Sequence, residues 1–322
     1  VTAATLRAAG GRLAGLVGTL LGVAVVVFVL LRLLPGDAID ANLGTQAGLL
    51  TTAQHAALQR YYGIDQSIPH QFVTWIGQLL HGNLGVSVNS GTDVTTLLGS
   101  AIPVTVELAV LATIIGAPLG VALGVLAAGR PGGARDLGVQ SAGLLGLALP
   151  EFILASVVVA VLGAVFRYFP SAGTFVSLSH SVGGNLSQMI YPALVLAVGL
   201  AATVMRTTRS AYLDVARSDF VRTARGKGLF PRRIRWRHIL RNSSVPIVTM
   251  VGIQFGYLLG GTVVIEQVFA LPGLGRLLLN AILQRDYAVV QSAVLLIAVG
   301  FVVVNLIVDL VYRALDPRTA ET

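Results

Sequence analysis

Apolar residues in this chain gather into six long blocks rather than alternating or recurring on a single helical face. The blocks are residues 13–31 (LAGLVGTLLGVAVVVFVLL), 101–128, 137–166, 186–205, 247–266 and 288–312. At 1.5 Å rise per residue each is long enough to cross the ~30 Å of hydrocarbon in a bilayer. The pattern predicts an all-α polytopic membrane protein with six transmembrane helices. The first block follows Arg7 and Arg12 as a signal peptide would, but its apolar run is longer and no A-x-A site follows closely, so it reads as a permanent anchor. Two connections are long. Residues 32–100 carry helix-like sequence at 52–62 and 69–80 with turn signals at Pro35-Gly36-Asp37 and Gly82-Asn83, and residues 206–246 are dominated by arginine. The chain is thereby divided into 1–31 (terminus and first span), 32–100 (a loop subdomain) and 101–322 (spans two to six with the loop 206–246).

Composition agrees. The chain is 55% hydrophobic and 11% charged, with a mean hydropathy of +0.81, which excludes an ordinary soluble domain. The net charge of +8 is then a question of distribution. If both termini are cytoplasmic, the inner segments hold Arg7, Arg12, Arg130, Arg135, Arg206, Arg209, Arg217, Arg313, Arg318 and the eight basic residues of 222–246. Only Arg32, Arg60, Arg167, Arg276 and Arg285 fall outside. This asymmetry predicts that orientation, with 32–100 extracytoplasmic. The absence of Cys excludes disulfides, thiolate nucleophiles and Cys-based metal sites. The five His show no metal-ligand spacing, and no Ser/His/Asp arrangement supports a membrane enzyme. No internal repeat marks an inverted-repeat secondary transporter. A stand-alone carrier or channel remains the alternative, and paired mid-membrane carboxylates would favour it.

Within the spans, Gly116, Gly120 and Gly124 form one stripe and Gly252, Gly256 and Gly260 another; such stripes let helix backbones approach closely in lipid. The first stripe reads as packing within the chain. Gln254 and Tyr257 add polarity beside the second, which favours a seam with another membrane subunit. Four acids lie in or near spans. Glu107, close to the start of span two where a helix N-terminus favours a carboxylate, Glu266, at the end of span five, and Asp309, within reach of Arg313, read as structural. Glu151 follows Pro150 near mid-membrane. It either lines a translocation path, with Gln254 and Tyr257 as further candidates, or is protonated and hydrogen-bonded to a neighbouring helix.

The loop RTARGKGLFPRRIRWRHILRNSSVP (222–246) holds Arg222, Arg225, Lys227, Arg232, Arg233, Arg235, Arg237 and Arg241. Residues 209–225 fit a helix with one apolar face, Gly226 and Gly228 flanking Lys227 break it, and Pro231 suits the first turn of a second short helix in which Ile234, Ile239 and Leu240 pack inward. Attraction to anionic lipid contributes at ~1 kcal/mol per basic residue. Nucleic acid is not expected of a loop between two spans, and the G-x-x-x-x-G-K-[ST] phosphate loop is absent. A docking surface for a cytoplasmic protein accounts for the helix, glycine turn, helix layout.

These residues carry a resemblance. RTARGKGL and RHILRNSSVP resemble the cytoplasmic loop of ATP-binding-cassette (ABC) importer permeases of the dipeptide, oligopeptide and nickel branch. LPGDAID, YGIDQSIPHQFVTWIGQLLHGNLGVSV, IPVTVELA, GGTVVIEQVFALPGLGRLLLNAILQRDYAVVQ and NLIVDLVYRALDPR look like the same branch, collinearly along nearly the whole chain. The importer signature E-A-A-x-x-x-G aligns with Arg222, Thr223, Ala224 and Gly228, Arg replacing Glu as in this branch. Asn83 and Glu151 depart from the usual pattern. The resemblance implies a type I importer permease fold in the bacterial inner membrane. It also implies a second homologous permease subunit, two ATP-binding subunits and an extracytoplasmic substrate-binding protein that delivers di- or oligopeptides, haem or a nickel complex. ATP and Mg would be bound by the ATPase subunits and no cofactor by this chain. It further implies an ATPase-coupling element at Ser218, Asp219, Arg222, Thr223, Ala224, Arg225, Gly226, Lys227 and Gly228. Contacts to the binding protein would come from Asp37, Tyr62, Asp65, Asn83 and Gly85.

Overall fold

Every regular element among residues 3–33, 51–61, 65–166 and 175–315, which the computed structural model describes, is helical, apart from one isolated bridge between Val86 and Asp93. In chain order they are α1 (Ala3–Leu33), α2 (Thr52–Tyr61), α3 (Ile68–Leu80), α4 (Val94–Ala128), α5 (Ala134–Ala148) and α6 (Glu151–Phe166). There follow α7 (Val182–Ala216), α8 (Asp219–Gly226), α9 (Pro231–Gly261), α10 (Val263–Val268), α11 (Leu274–Leu283) and α12 (Tyr287–Leu315). Five of these, α1, α4, α7, α9 and α12, are long and apolar enough to span a bilayer; α5 and α6, bent by 92° at the break between them, pass the same test as a pair, as a broken span or a re-entrant loop.

That elbow differs from the single kinked span expected over 137–166. Leu149 is extended, with φ −78° and ψ 117°. The ring of Pro150 disfavours helical backbone in the preceding residue, so the helix stops and restarts instead of kinking. A second difference lies in the arginine loop. The helix expected over 209–225 is divided: α7 continues to Ala216, and Ser218 is extended (φ −67°, ψ 153°) before α8 starts at Asp219. The second short helix is not separate either, for Pro231 opens α9, which runs on into the membrane span. Its Ile234–Leu240 segment is a π-helix. Ile234 and Ile239 are both buried and five residues apart, a spacing matched to i→i+5 hydrogen bonding, which keeps both on one face.

The chain divides into two compact units, Val1–Pro103 with Gly273–Val302, and Val104–Pro272 with Val303–Thr322. In the first, Leu31 of α1, Val94 and Leu98 of α4, Leu274 and Ala281 of α11, and Val289 and Ala293 of α12 form the core. The end of α1 is clamped by α3. Phe28 meets Phe72 edge-on at 5.0 Å and stacks on Trp75 at 5.7 Å, and Arg32 lies over the Phe28 ring while its Nε donates to Gln71 Oε1 at 3.0 Å. The buried carboxylate of Asp286 accepts from Ser87 Oγ at 2.5 Å and caps the start of α12 through Val289 N–H at 3.3 Å.

In the second unit α7 is central. Pro192, Leu196, Leu200, Val204, Met205 and Tyr212 are among its buried residues. The stripe Gly116, Gly120 and Gly124 of α4 lies directly on it: an added Cβ would sit 2.9 Å from Ala197 O, 2.6 Å from Ala201 O and 2.7 Å from Met205 O, respectively. The first stripe therefore packs within the chain, as expected. The second stripe differs from expectation at Gly252, which is packed against Val308 of α12. That contact occupies the surface a partner seam would need, although Gly260 stays exposed. A wholly buried Glu266 on α10 accepts from Thr105 Oγ1 at 2.6 Å and Thr262 Oγ1 at 2.9 Å, tying α4 to α10.

Backbone oxygens face the α4 stripe, so relief requires the helices to separate. Gly120→Leu is expected to cost about 1–3 kcal/mol through overpacking and to lower the melting temperature of the purified protein in detergent. Gly18→Leu in α1, where an added Cβ meets nothing within 4 Å, is expected to leave it unchanged. Equal melting of the two variants would contradict the close contact.

Candidate functional site

The arginine loop is built on its own small core. Val221 and Ala224, three residues apart on α8, are buried with Tyr212 of α7, Ile234 and Ile239 of α9 and Ala128 at the end of α4. Three helices that run into the membrane thus grip about two turns of helix. The opposite face of α8 is open: Asp219, Phe220, Arg222, Thr223 and Arg225 are exposed, with Gly226, Lys227 and Gly228 beyond them. Ser218 is half-buried and its Oγ donates to Val215 O at 2.6 Å, holding the bend between α7 and α8. Of the residues expected to form the coupling element, Ala224 is an anchor and not part of the exposed surface.

The end of α8 is fixed by backbone geometry. Gly228 has φ +72°, Leu229 N–H reaches Ala224 O at 3.3 Å, and Gly228 N–H reaches Arg225 O at 3.0 Å. Together these satisfy the orphan carbonyls of the last turn, and Leu229 tucks against the same small core. The two glycines are unequal. Gly228 is required by its left-handed backbone, whereas Gly226 lies in ordinary helix. Neither has a neighbour within 4 Å of an added Cβ, so the constraint at Gly228 is conformational and not one of space.

An ion pair that sequence reading missed braces α7 just before this platform. Arg209 donates Nε to Asp136 Oδ1 and Nη2 to Asp136 Oδ2, both at 2.7 Å, with Asp136 almost wholly buried. Asp136 also accepts from Gly132 N–H and Gln140 Nε2, each at 2.8 Å, so the carboxylate is satisfied on all sides. The partners are 73 residues apart, and the charge distribution of the sequence marks Arg209 only as one more inner charge. The available signal was an acid in the first turn of α5, directly after a Gly-Gly turn.

The candidate path residues lie on two helices. Glu151 is the first residue of α6, on the 92° elbow. It is exposed, and its Oε1 lies 3.6 Å from where a Cβ would sit at Gly199 of α7. It makes no hydrogen bond among the described residues, so the hydrogen-bonded alternative has no partner there. Gln254 is half-buried on α9, and Tyr257 is 64% exposed one turn later. Glu107 corrects its sequence reading: α4 begins at Val94, so Glu107 is in mid-helix, where it accepts from the buried Asn185 Nδ2 at 3.3 Å. Glu266 is structural, wholly buried and paired locally with Thr105 and Thr262. Asp309 is exposed; the side chain of Arg313, its expected partner, lies outside the described residues.

On the segment expected to meet a binding protein, Asp37 and Tyr62 lie outside the described residues, and Asp65 is exposed in a turn. Asn83 and Gly85 build the next turn. Asn83 Oδ1 accepts from Gly85 N–H at 2.9 Å, and Gly85, with φ +85°, would place a Cβ 3.5 Å from Ala288.

A family model for the binding-protein-dependent transport system inner membrane component matches residues 120–321. The chain belongs to this family. It is accordingly a multi-pass protein of the bacterial inner membrane and a transport subunit. Relatives in the family include a probable peptide ABC transporter permease of Sinorhizobium fredii, 36% identical over 307 residues, covering 95% of this chain and 97% of the relative. A putative peptide transport system permease of Brucella abortus is 40% identical over 307 residues (95% and 96%), and the glutathione transport system permease of Pectobacterium atrosepticum is 36% identical over 306 (95% and 96%). Among solved structures, an inward-facing methionine ABC transporter superposes with a TM-score of 0.55 at 19% identity, covering 69% of this chain and 97% of that one. An amino acid ABC transporter gives 0.52 at 16%, covering 68% and 94%. The permease fold is therefore shared. Membership of the family sets aside the stand-alone carrier or channel.

The cap makes a separable prediction for this permease. Gly228→Ala costs about 1–2 kcal/mol of left-handed backbone strain, which should speed tryptic cleavage after Arg225 and Lys227 by roughly 5- to 30-fold. Gly228→Asn should be milder and Gly226→Ala neutral. Unaltered cleavage in Gly228→Ala would show that the cap does not hold this helix.

Proposed function

We propose that this chain is the permease subunit of an ATP-driven importer of di- or oligopeptides, and that α8 with its flanks, residues 218–228, is the element through which partner ATPases move it. The observation that carries the reading is the two-sided build of α8, with Val221 and Ala224 sunk into a core shared by α4, α7 and α9 and a basic face turned outward. A part that transmits movement must be stiff where it joins the spans and open where it is gripped. Both termini and 206–246 are cytoplasmic in this reading, and 32–100 meets the binding protein outside. ATP and Mg are held by the two ATPase subunits, whose closure rocks this chain against a second permease subunit. The relatives named for peptide and glutathione transport support the peptide class of cargo. Glu151, Gln254 and Tyr257 are assigned to the path.

The absence of native Cys makes any introduced thiol unique. Thr223→Cys, in the complex purified with its co-expressed subunits, should cross-link to an ATPase subunit in an ATP-dependent manner, and Thr74→Cys on α3 to the binding protein only. Cross-linking of Thr223→Cys to the binding protein, or to neither, would overturn the assignment. Binding protein loaded with a short peptide should stimulate ATP hydrolysis; stimulation by haem or a nickel complex alone would reassign the cargo. Glu151→Gln is expected to reduce uptake while ATP hydrolysis continues, and unchanged uptake of every cargo would remove Glu151 from the path.

A further inference from the structure

A cleft of about 890 Å³ opens between α4 and α9, and neither the coupling face nor the candidate path residues account for it. Its wall is apolar, formed by Ala117, Val121, Val125 and Leu126 of α4 and by Val248 and Val251 of α9. At one end stand Arg130, Arg135 and Arg235, with Trp236 beside them. All four are exposed, and no acidic residue lines the cleft among the described residues. None of the three arginines forms a side-chain hydrogen bond or ion pair among the described residues. The acid next to Arg135, Asp136, is committed to Arg209. Three positive charges therefore line a slot with no acidic partner among the described residues.

We infer that this cleft is a binding site for one anionic phospholipid, its phosphate held by Arg130, Arg135 and Arg235 and its acyl chains laid along α4 and α9. Two independent features select lipid over a soluble anion or a protein. From Ala117 to Leu126 the apolar wall of α4 extends ~14 Å at 1.5 Å per residue, which is close to half the ~30 Å hydrocarbon thickness; a small anion has no use for that wall. The charges sit at only one end of it, beside a Trp, as at a headgroup boundary, where basic pockets between helices recognise anionic headgroups. A protein cover over the whole slot would leave the same arginines to be neutralised by acids of its own. The site adjoins the π segment Ile234–Leu240, which carries Arg235 and Trp236, so the lipid would brace the helix that also supports α8.

The test uses the permease purified with its co-expressed subunits and reconstituted with phosphatidylglycerol bearing a photoreactive acyl chain. Labelling is expected on 117–126 and 247–251 and should exceed that by the matching phosphatidylcholine. The triple variant Arg130→Gln, Arg135→Gln, Arg235→Gln should lose labelling by roughly tenfold or more, while Arg232→Gln with Arg233→Gln retains it. Val121→Trp, which fills the slot without altering charge, should also abolish labelling, so the outcome does not depend on the folding of the triple variant. Equal labelling by the two lipids, undiminished labelling in the filled or uncharged slot, or full displacement by inorganic phosphate would overturn the proposal. So would photo-cross-linking from position 126 that reaches a second permease subunit instead of lipid.

Discussion

Helices in a bilayer gain little from hiding apolar surface, since the surrounding lipid is equally apolar, and they associate by close contact. The unit that carries the candidate coupling site rests on one such contact, the approach of α4 to α7 along Gly116, Gly120 and Gly124, where even a methyl group would meet carbonyl oxygen. With that spacing set, the continuation of each helix is also set. The same α7 reaches Arg209 and its pair with Asp136, then Tyr212 in the small core beneath α8, while α4 reaches that core through Ala128. The close approach within the span and the platform beyond it are two ends of the same helices.

This arrangement explains how an eight-residue helix can be held rigid. An isolated helix of that length is unstable in water, because nucleation is not repaid over so few residues. Here α8 is held by Val221 and Ala224, by the Ser218 bend and by the Gly228 cap, so that a push on its exposed face would bear on α7, α9 and α4. The buried Asp136 stiffens α7 at the same level. Removing one member of such a pair leaves the other charge without a partner, so its value lies in position as much as in stability.

The spans were legible because bilayer thickness imposes a length that composition reveals directly, and the spacing of the first glycine stripe showed a close helix contact without naming its partner. Several features were not legible, each for a local reason. The elbow at Leu149 and Pro150 looked like a kink, since a proline in an apolar run signals either outcome until neighbouring helices decide. The start of α8 at Asp219 was hidden because the apolar spacing of 209–225 continues through the Ser218 bend. The partner of Gly252 turned out to be Val308, and that of Arg209 to be Asp136; both contacts are long-range and leave no periodic trace. Glu107 was misplaced because apolar content marks where hydrocarbon begins, whereas α4 begins earlier, at Val94.

The acids of the spans differ in how their charge is met, and the difference separates scaffold from site. Glu266 is enclosed and receives two threonine hydroxyls; Asp136 receives a bidentate guanidinium, an amide and a backbone N–H; Glu107 receives an asparagine. Glu266 and Asp136 are satisfied inside the fold and have nothing left to offer a solute, whereas Glu107 keeps a buried Oε1 with no hydrogen-bonding partner among the described residues. Glu151 stands on a helix break, exposed, with a glycine opposite and no hydrogen-bonding partner among the described residues. A carboxylate in that setting must find water, a proton or a passing cationic group such as a peptide amine. Of these four acids, Glu151 is the one that is both exposed and without a hydrogen bond among the described residues.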